Sequence, residues 1–314
     1  MTSAKSSQVL CLVGPTGTGK SSVALQIADK IEAEIVNCDS RQVYADFPCI
    51  TAQPTDEDKA RCPHHLYGFL STDQAMDAGR FVTLAQKVIH DVQARGKLPI
   101  LVGGTGLYLR SLIYGLAPIP DIPRAIHTRI QTQCQEEGPE ELHRRLQAAD
   151  PETADRLHPR DKQRITRALE VQTATQRPLS WWIRTYPCDK PRYDALTIGL
   201  WADLESLAPG LKERIERMWA KGAFQEAARA WQKCPQENAP GWSGIGCWEL
   251  LQVLLGRWSV PEAKQEWLKN TRAYAKRQLT WFKKESGIRW FKTEQTDSVI
   301  KGVLSWLNQE TKLK

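Results

Sequence analysis

The stretch GPTGTGKSS, residues 14–22, constrains the fold of this chain more than any other feature. It follows a short apolar run, VLCLV at 9–13, and has the phosphate-loop spacing of a glycine, four residues and Gly-Lys-Ser. In such a loop, backbone N–H groups and the positive end of the next helix bind phosphate oxygens. The lysine adds a positive charge and the serine can hold Mg²⁺. The predicted phosphate-binding residues are Gly14, Pro15, Thr16, Gly17, Thr18, Gly19, Lys20 and Ser21.

Strand and helix signals alternate through the first hundred residues. Apolar runs predict strands over 9–13, 34–38 and 98–102, and helical spacing predicts helices over 20–31 and 78–95. This alternation is typical of an α/β protein, here a P-loop NTPase-like parallel sheet flanked by helices. Ligands bind at the carboxyl ends of such strands. We therefore expect the phosphate loop, Asp39 and Gly103-Gly104-Thr105 to meet in one crevice.

The character of the chain changes near Pro118. A proline-rich turn, APIPDIPRA, is followed by charged helical patterns over 124–185, and 193–201 has the pattern of a strand that returns to the sheet. The stretch over 202–285 is again mostly helical. We predict a core domain over 1–117 and 199–314, with a helical insertion domain over 118–198.

One acidic residue stands out beside the phosphate loop. Nucleotide triphosphatases carry a carboxylate after a later strand that helps to hold Mg²⁺, but here KLPILV runs into GGTGLY without one. Asp39 instead follows the second strand. A lone aspartate at a strand end is usually a turn or helix cap. Because it is expected in the crevice of the phosphate loop, we favour a role as general base or metal partner.

The composition of the chain bears on which partners and which compartment we expect for the protein. The chain has 43 Lys and Arg against 36 Asp and Glu, a net charge of +7, which fits either a solvated basic surface or a polyanionic partner such as nucleic acid. Its 8 cysteines form no C-x-x-C pair, which argues against a zinc module or a disulfide framework and predicts a cytosolic protein. No apolar run is long enough for a membrane span.

Several motifs together carry a resemblance. In this order along the chain they resemble those of the bacterial tRNA dimethylallyltransferases, also called isopentenyl-tRNA transferases: GPTGTGKS, DSRQVY, ITAQPT with CPHHLYG, RGKLPILVGGTGLYL, DKQRITRALEV at 161–171 and NTRAYAKRQLTWFKK at 270–284. The resemblance spans nearly the whole chain and is far more specific than the phosphate loop alone. The adjacent His64 and His65 belong to one of these motifs, and no catalytic role is assigned to them.

The resemblance implies a particular phosphate. In that family the loop holds the diphosphate of dimethylallyl diphosphate, whose prenyl group goes to N6 of the adenosine immediately 3′ of the anticodon in tRNAs that read codons beginning with U. The products are N6-dimethylallyladenosine and diphosphate. Lys20, Mg²⁺ at Ser21 and the loop amides would stabilise the departing diphosphate, and Asp39 would take the N6 proton. A monomeric, Mg²⁺-dependent enzyme is expected.

The resemblance also implies how RNA is held. The target base must leave the stacked anticodon loop, which requires a clamp on the anticodon stem-loop, and we expect the insertion domain to close on it. Three groups match the RNA-contacting motifs of the family, although basic helix faces are more often merely solvated. The predicted tRNA-binding residues are Asp39, Ser40, Arg41, Gln42, Thr105, Gln163, Arg164, Ile165, Thr166, Arg167, Arg272, Lys276, Arg277 and Gln278.

Three stretches depart from the family pattern. LKERIERMWAKG is about one helical turn shorter than usual, so Arg214 and Arg217 compete for the diphosphate and both are candidate catalytic residues. Gly246-Cys247-Trp248-Glu249 lacks the arginine of the family's Gly-Tyr-Arg stretch. PCITAQP at 48–54 has Ile50 where the family has glycine, so the local turn is expected to differ.

Two other classes of protein share the loop. A small-molecule kinase with an ATP site would need an adenine pocket and leaves the basic helices unexplained. A non-catalytic RNA-binding ATPase would bind RNA in an ATP-dependent way and would perform no chemistry on the base. The ordered set of motifs favours the prenyltransferase over both.

Overall fold

A computed structural model describes residues 7–311 of the chain, with side chains described through residue 308. Its described part contains one six-stranded sheet with the strand order β3-β2-β4-β1-β5-β6, and every neighbouring pair is parallel. The strands are β1 (Gln8–Val13), β2 (Ala33–Asn37), β3 (His64–His65), β4 (Leu98–Val102), β5 (Asp194–Trp201) and β6 (Ile288–Lys292). The predicted α/β class and parallel sheet are confirmed.

Helices connect and cover these strands. In chain order they are α1 (Lys20–Ala28), α2 (Asp56–Arg61), α3 (Ala78–Ala94), α4 (Gly106–Tyr114), α5 (Arg124–Glu137), α6 (Pro139–Ala149), α7 (Pro151–Ala154), α8 (Lys162–Thr175), α9 (Leu179–Thr185), α10 (Leu204–Ala220), α11 (Ala223–Lys233), α12 (Cys247–Leu254), α13 (Val260–Phe282) and α14 (Thr296–Thr311), with a 3₁₀ turn at Pro240–Ser243. No helix of the described residues is long and apolar enough to cross a membrane.

The central strand explains why the sheet is parallel and covered. Val9, Leu10, Cys11 and Leu12 are all 0% exposed, so β1 has no solvent face and its sequence is continuously apolar rather than alternating. Side chains from α1 and α14 pack with this strand in one hydrophobic cluster. A second cluster lies beyond the strand ends, where α10, α11, α12 and α13 pack on the segment that holds Val43 and Phe47.

The chain divides into two compact units. The sheet unit holds the described residues up to Ile113 and from Pro191 onward, and the helical unit is Tyr114–Lys190. The helical unit has its own core, which includes Ile130, Leu142, Leu146 and Ile165. Its observed bounds differ from the predicted 118–198, because β5 pairs with β1 and therefore belongs to the sheet.

The chain after α13 was not assigned from its sequence. There β6 adds an edge strand beside β5, and α14 packs its buried Val299 and Val303 on the sheet. The helix predicted over 20–31 ends earlier, at Ala28, because the chain turns into β2.

The adjacent histidines His64 and His65 form β3, and His65 lies 2.7 Å from a carboxylate oxygen of the buried Glu34. The two histidines thus form an edge strand that pairs with β2, and neither of them lines the pocket that contains Asp39.

Candidate active site

The phosphate loop leaves β1 and enters α1 at Lys20. Gly14, Gly17 and Gly19 have positive φ angles of 131°, 87° and 78°, which side chains other than glycine rarely adopt. At Gly14 a Cβ atom would also lie 2.1 Å from the Leu200 carbonyl oxygen on β5. The three glycines are therefore required by the backbone path, and Gly14 is required also by its close approach to β5.

The lysine of the loop lies inside this turn. Lys20 Nζ donates hydrogen bonds to the carbonyl oxygens of Gly14, at 2.9 Å, and Pro15, at 2.7 Å. Burial lowers the pKa of Lys20 to about 8, the charge of Asp39 opposes this shift and the charge of Arg214 adds to it. The structure thus holds a desolvated ammonium group at the place where the loop would bind an anion.

The Gly-Gly-Thr-Gly turn follows β4 and contacts the segment that follows β2. A Cβ atom at Gly103 would lie 2.0 Å from the Cys38 carbonyl oxygen, so the two chain segments touch through their backbones. The Thr105 backbone N–H donates to Cys38 O at 3.2 Å, and Ser40 N–H donates to Thr105 Oγ1 at 3.0 Å. These hydrogen bonds place Thr105 beside the Asp39-Ser40 turn, as the sequence predicts.

Asp39 occupies a short turn at the end of β2. Its backbone N–H donates to Asn37 Oδ1 at 2.8 Å, and its Oδ1 accepts the Arg41 N–H at 2.8 Å. One carboxylate oxygen is thereby fixed by the backbone. The residue lines the same pocket as Thr16 of the phosphate loop and Arg214 of α10.

This pocket has a volume of about 220 Å³ and lies wholly in the sheet unit. Its wall combines charged and hydroxyl groups with a large apolar surface. The lining residues are Thr16, Asp39, Arg41, Ile50, Thr51, Leu211, Arg214, Ile215, Met218, Ser243, Ile245, Trp267, Thr271, Tyr274 and Arg277. Such a wall suits a ligand that has a polar end and an apolar end.

The structure separates the two competing arginines of α10. Arg214 lines the pocket, and burial lowers its pKa, while the nearby carboxylate of Asp39 acts in the opposite direction. Arg217 is exposed and lies 3.6 Å from Glu213 in a surface ion pair. The predicted role of Arg217 as a diphosphate-binding residue therefore has no support from the pocket, because its side chain points to solvent.

The structure corrects the predicted RNA-binding role of Gln278. It is 4% exposed, and its side chain joins two loops instead of facing solvent. Gln278 Oε1 accepts the Thr16 N–H at 2.8 Å, and its Nε2 donates to the Gly104 carbonyl oxygen at 3.0 Å. A Cβ atom at Gly104 would meet this amide, so the glycine and the glutamine fit one another.

The turn after Asp39 is also held from within. Gln42 Nε2 donates to the carbonyl oxygens of Thr51 and Ala52, at 3.0 and 2.7 Å. Arg41 lines the pocket and its Nη1 donates to Ser243 Oγ at 2.7 Å. Both side chains are partly exposed, and in this structure they order the rim of the pocket.

Helix α8 presents the second predicted group. Gln163, Arg164 and Arg167 are exposed, whereas Ile165 and Thr166 are buried in the helical unit. The prediction that the Ile165 and Thr166 side chains contact RNA directly is therefore also corrected, because both are buried. Helical geometry turns alternate parts of the run inward, so a contiguous motif cannot lie entirely on one surface.

Helix α13 contributes the third group and a residue that the sequence did not reveal. Arg272, Lys276 and Arg277 are exposed, and Arg277 lies at the pocket and over the Tyr274 ring, 5.7 Å from its centre. Burial raises the pKa of Tyr274 well above its usual value, as does the charge of Asp39, while its hydrogen bonds with Thr105 and Gln278 lower it. Its hydroxyl is therefore a proton-bearing group in the pocket.

A spacing signal could have indicated the buried face of α13. Trp267, Thr271, Tyr274 and Gln278 follow one another at intervals of four, three and four residues, which places them on one side of a helix. The first three line the pocket and the fourth holds its loops. The basic residues between them, Arg272, Lys276 and Arg277, are exposed, so the basic pattern indicates the exposed surface of the helix and not its buried face.

The chemistry of the donor groups decides whether Mg²⁺ fits here. Among residues 7–308 no group of three His, Cys, Asp or Glu side chains is arranged to hold a metal ion. Ser21 is exposed in the first turn of α1, directly after Lys20. Mg²⁺ keeps several waters and is commonly bound by few protein ligands together with substrate phosphates. The donors present therefore fit Mg²⁺ as a partner of a bound diphosphate.

Together the parallel sheet, the glycine loop around a desolvated lysine and a pocket lined by both polar and apolar side chains define a P-loop-type α/β protein whose pocket suits a phosphorylated apolar ligand. A sequence model of the family described as IPP transferase matches residues 42–285. This chain belongs to that family.

Individual relatives agree with this assignment. The tRNA dimethylallyltransferase of Oleidesulfovibrio alaskensis is 54% identical over 282 residues, which cover 90% of this chain and 92% of that protein. The tRNA dimethylallyltransferase of Maridesulfovibrio salexigens is 52% identical over 299 residues, which cover 95% and 97%.

Solved structures share the fold. The tRNA isopentenylpyrophosphate transferase from Bacillus halodurans has a TM-score of 0.72 at 28% identity, covering 98% of this chain and 99% of that one. A eukaryotic dimethylallyltransferase acting on tRNA has a TM-score of 0.78 at 29% identity, covering 91% of this chain and 74% of that one. The resemblance stated from the motifs is confirmed.

Proposed function

We propose that this protein transfers the dimethylallyl group of dimethylallyl diphosphate to N6 of the adenosine immediately 3′ of the anticodon, in tRNAs that read codons beginning with U. The curated relatives are named tRNA dimethylallyltransferases, and the match extends over nearly the whole chain. The observation that carries the proposal is the pocket, where a phosphate-loop residue, Thr16, and an apolar wall line the same space. A prenyl diphosphate has these two ends.

The reaction exchanges one bond for another. The bond between the allylic carbon and the diphosphate oxygen breaks, the carbon–N6 bond forms and N6 loses a proton. The departing diphosphate takes the electron pair and gains negative charge, which Lys20, Arg214 and the loop amides stabilise. Both cations lie close enough to Asp39 to respond to its charge.

Asp39 is the proposed general base. Its Oδ1 is engaged by the Arg41 N–H, so the turn orients the carboxylate while its other oxygen can take the N6 proton. Thr105 and Tyr274 lie beside this group and would orient the adenine edge.

Mg²⁺ is the proposed cofactor, with Ser21 as its protein ligand. When bound it would screen the diphosphate charge and act as a Lewis acid on the leaving group. The exposed hydroxyl of Ser21 at the start of α1 supports this assignment, because serine or threonine at this loop position commonly contacts the metal.

The tRNA is proposed to bind through exposed polar and cationic side chains of both units. Arg41 and Arg277 belong to the pocket wall, Arg272 and Lys276 to the exposed side of α13, and Gln163, Arg164 and Arg167 to α8. These side chains would bind phosphates of the tRNA. Because tRNA is the proposed substrate, the cytosol is the proposed compartment, and the monomer stays our expectation for the assembly.

A nucleoside assay tests the proposal. Unmodified bulk tRNA and Mg²⁺ are incubated with the protein and either dimethylallyl diphosphate or ATP, and the digested nucleosides are analysed by mass spectrometry. A dimethylallyl-sized gain on adenosine with dimethylallyl diphosphate alone is the expected result. No gain together with ATP turnover would contradict the proposal and favour a kinase or an RNA-binding ATPase.

A further inference from the structure

The first turn of α12 is buried except for one tryptophan. Cys247 and Glu249 are each 1% exposed and Leu250 is 0% exposed, whereas Trp248 is 39% exposed. All 12 tryptophans of the chain lie in its described part, and the other 11 are buried or half-buried. Because tryptophan has a large apolar ring that usually packs in a core or an interface, an exposed one beside a binding site is informative.

The segment that leads into α12 forms part of the pocket wall. Ile245 lines the pocket, and a Cβ atom added at Gly246 would lie 2.6 Å from the ring of Trp267, another lining residue. The Trp248 backbone N–H donates to the Gly244 carbonyl oxygen at 3.0 Å. The exposed indole is therefore attached to the chain within one helical turn of the pocket.

The backbone that carries Trp248 is firmly held. One carboxylate oxygen of the buried Glu249 accepts the Gly246 N–H at 2.6 Å, and the other accepts a hydrogen bond from Asn270 Nδ2 of α13 at 2.8 Å. Buried hydrogen bonds to a charged group are costly to break. The start of α12 is thus fixed before a ligand binds, which lowers the entropy cost of a contact with the Trp248 ring.

Cations line the same pocket. Arg41 Nη1 donates to Ser243 Oγ at 2.7 Å, five residues before Trp248, and the exposed Arg277 is a further lining residue. Surfaces that bind single-stranded RNA combine an aromatic ring, on which a base stacks, with basic groups that contact the backbone. The positive charges favour a polyanion over a protein surface as the partner of this ring.

We propose that Trp248 stacks on a nucleobase of the anticodon loop that is adjacent to the target adenosine. The inference rests on the proposed function and adds a base contact outside the pocket. When the adenosine leaves the loop, the base on either side loses a stacking partner on one face. The indole ring of Trp248 covers one of these faces. Because the family pattern has arginine at this position, the stacking contact belongs to this chain and is not a requirement of the reaction.

Fluorescent anticodon stem-loop RNAs test this contact. 2-Aminopurine, whose emission falls on stacking, replaces the base 5′ of the target adenosine in one RNA and the base 3′ of it in another. The wild type should quench one of the two. Trp248→Ala should lose this quenching and weaken binding of that RNA about fivefold or more, the scale of one base–aromatic stack. The KM for dimethylallyl diphosphate should not change, because the pocket is intact.

Three further variants separate stacking from other causes. Trp248→Phe keeps an aromatic face and should retain most of the affinity and quenching, whereas Trp248→Leu is apolar without such a face and should behave like Trp248→Ala. Trp306→Ala removes a half-buried tryptophan of α14 that does not line the pocket, and it should change neither quantity.

Two kinds of failure are distinguishable. Wild-type affinity or wild-type quenching in Trp248→Ala would overturn the inference, as would equal losses in Trp248→Phe and Trp248→Leu. A wild type that transfers no dimethylallyl group to unmodified tRNA would instead overturn the proposed function.

Discussion

The cations at the pocket of the sheet unit and those of helix α8 in the helical unit lie in different surroundings. In the sheet unit, Lys20 and Arg214 are desolvated around one carboxylate, and burial lowers the pKa of both cations. In the helical unit, Arg164 and Arg167 are exposed and lie near acidic residues one turn away. Desolvated charges interact strongly over short distances, whereas exposed charges are screened by water and salt. The first arrangement suits bond making and breaking, and the second suits recognition of a polyanion.

The largest effect on transfer is expected from replacing Asp39, the carboxylate whose charge acts on both desolvated cations. Asp39→Asn keeps an oxygen that can accept the Arg41 N–H, so the turn should persist while the base is lost. Transfer should fall by roughly 10²–10⁴-fold, the usual contribution of a general base, and inorganic diphosphate should still bind. Single-turnover transfer and diphosphate inhibition are the two measurements.

Asp29→Asn is the matched control, because Asp29 is an exposed partner of Arg61 in the same unit and its replacement should leave transfer unchanged. If Asp39→Asn transferred at the wild-type rate, the carboxylate would be a structural cap only.

The two arginines of α10 provide an internal comparison. Arg214→Met should lower kcat/KM by about 10²-fold, because one positioned donor to a developing anion is removed. Arg217→Met should change it by less than about twofold, since that side chain lies in a surface pair with Glu213. Steady-state kinetics with varied dimethylallyl diphosphate measure both; equal decreases would mean that Arg217 also reaches the ligand.

The desolvated lysine predicts a pH dependence. Because the pKa of Lys20 is lowered to about 8, its positive charge is largely present below that pH and is lost above it, so diphosphate affinity should be higher on the acidic side. Above pH 8 the affinity should decline by up to about tenfold per pH unit, as binding must first return the proton. Titration of inorganic diphosphate from pH 7 to pH 9.5 measures this decline.

The free energy of unfolding of the ligand-free protein should increase with pH over the range in which diphosphate affinity declines. The folded pKa of Lys20 lies below the ordinary lysine value of 10.5, so the unfolded chain binds more protons between about pH 8 and 10.5. The contribution of Lys20 to stability therefore increases across that window. Lys20→Met should bind diphosphate weakly at every pH and should lack the inflection near pH 8.

The smallest effects are expected in the helical unit. Arg164→Ala and Arg167→Ala should each weaken tRNA binding several-fold. Each should also reduce the log–log salt slope of binding by roughly 0.7 for every phosphate that the arginine neutralises. The KM for dimethylallyl diphosphate should not change. Arg156→Ala, which removes another exposed arginine paired with Glu152, is the control. Decreases as large as that of Arg214→Met would contradict the division of roles between the units.

Several features were determined by the sequence alone. The glycines of the phosphate loop, the strand before it and the placement of Asp39 after β2 follow from local backbone requirements, which a short stretch of sequence expresses directly. The strand predicted over 98–102 is observed as β4 with the same bounds, and the ends of the other elements differ by a few residues. Element bounds shift because helix ends depend on the partner that the chain meets next.

Only the tertiary structure decided which side chains meet. Arg214 rather than Arg217 reaches the pocket, Gln278 joins loops that are 262 and 174 residues away in sequence, and Ile165 is buried. Each outcome depends on which side of a helix faces a distant element, and a motif read along the chain does not contain that information. The same holds for Ile50, which lines the pocket because it packs among residues of α10, α11 and α13.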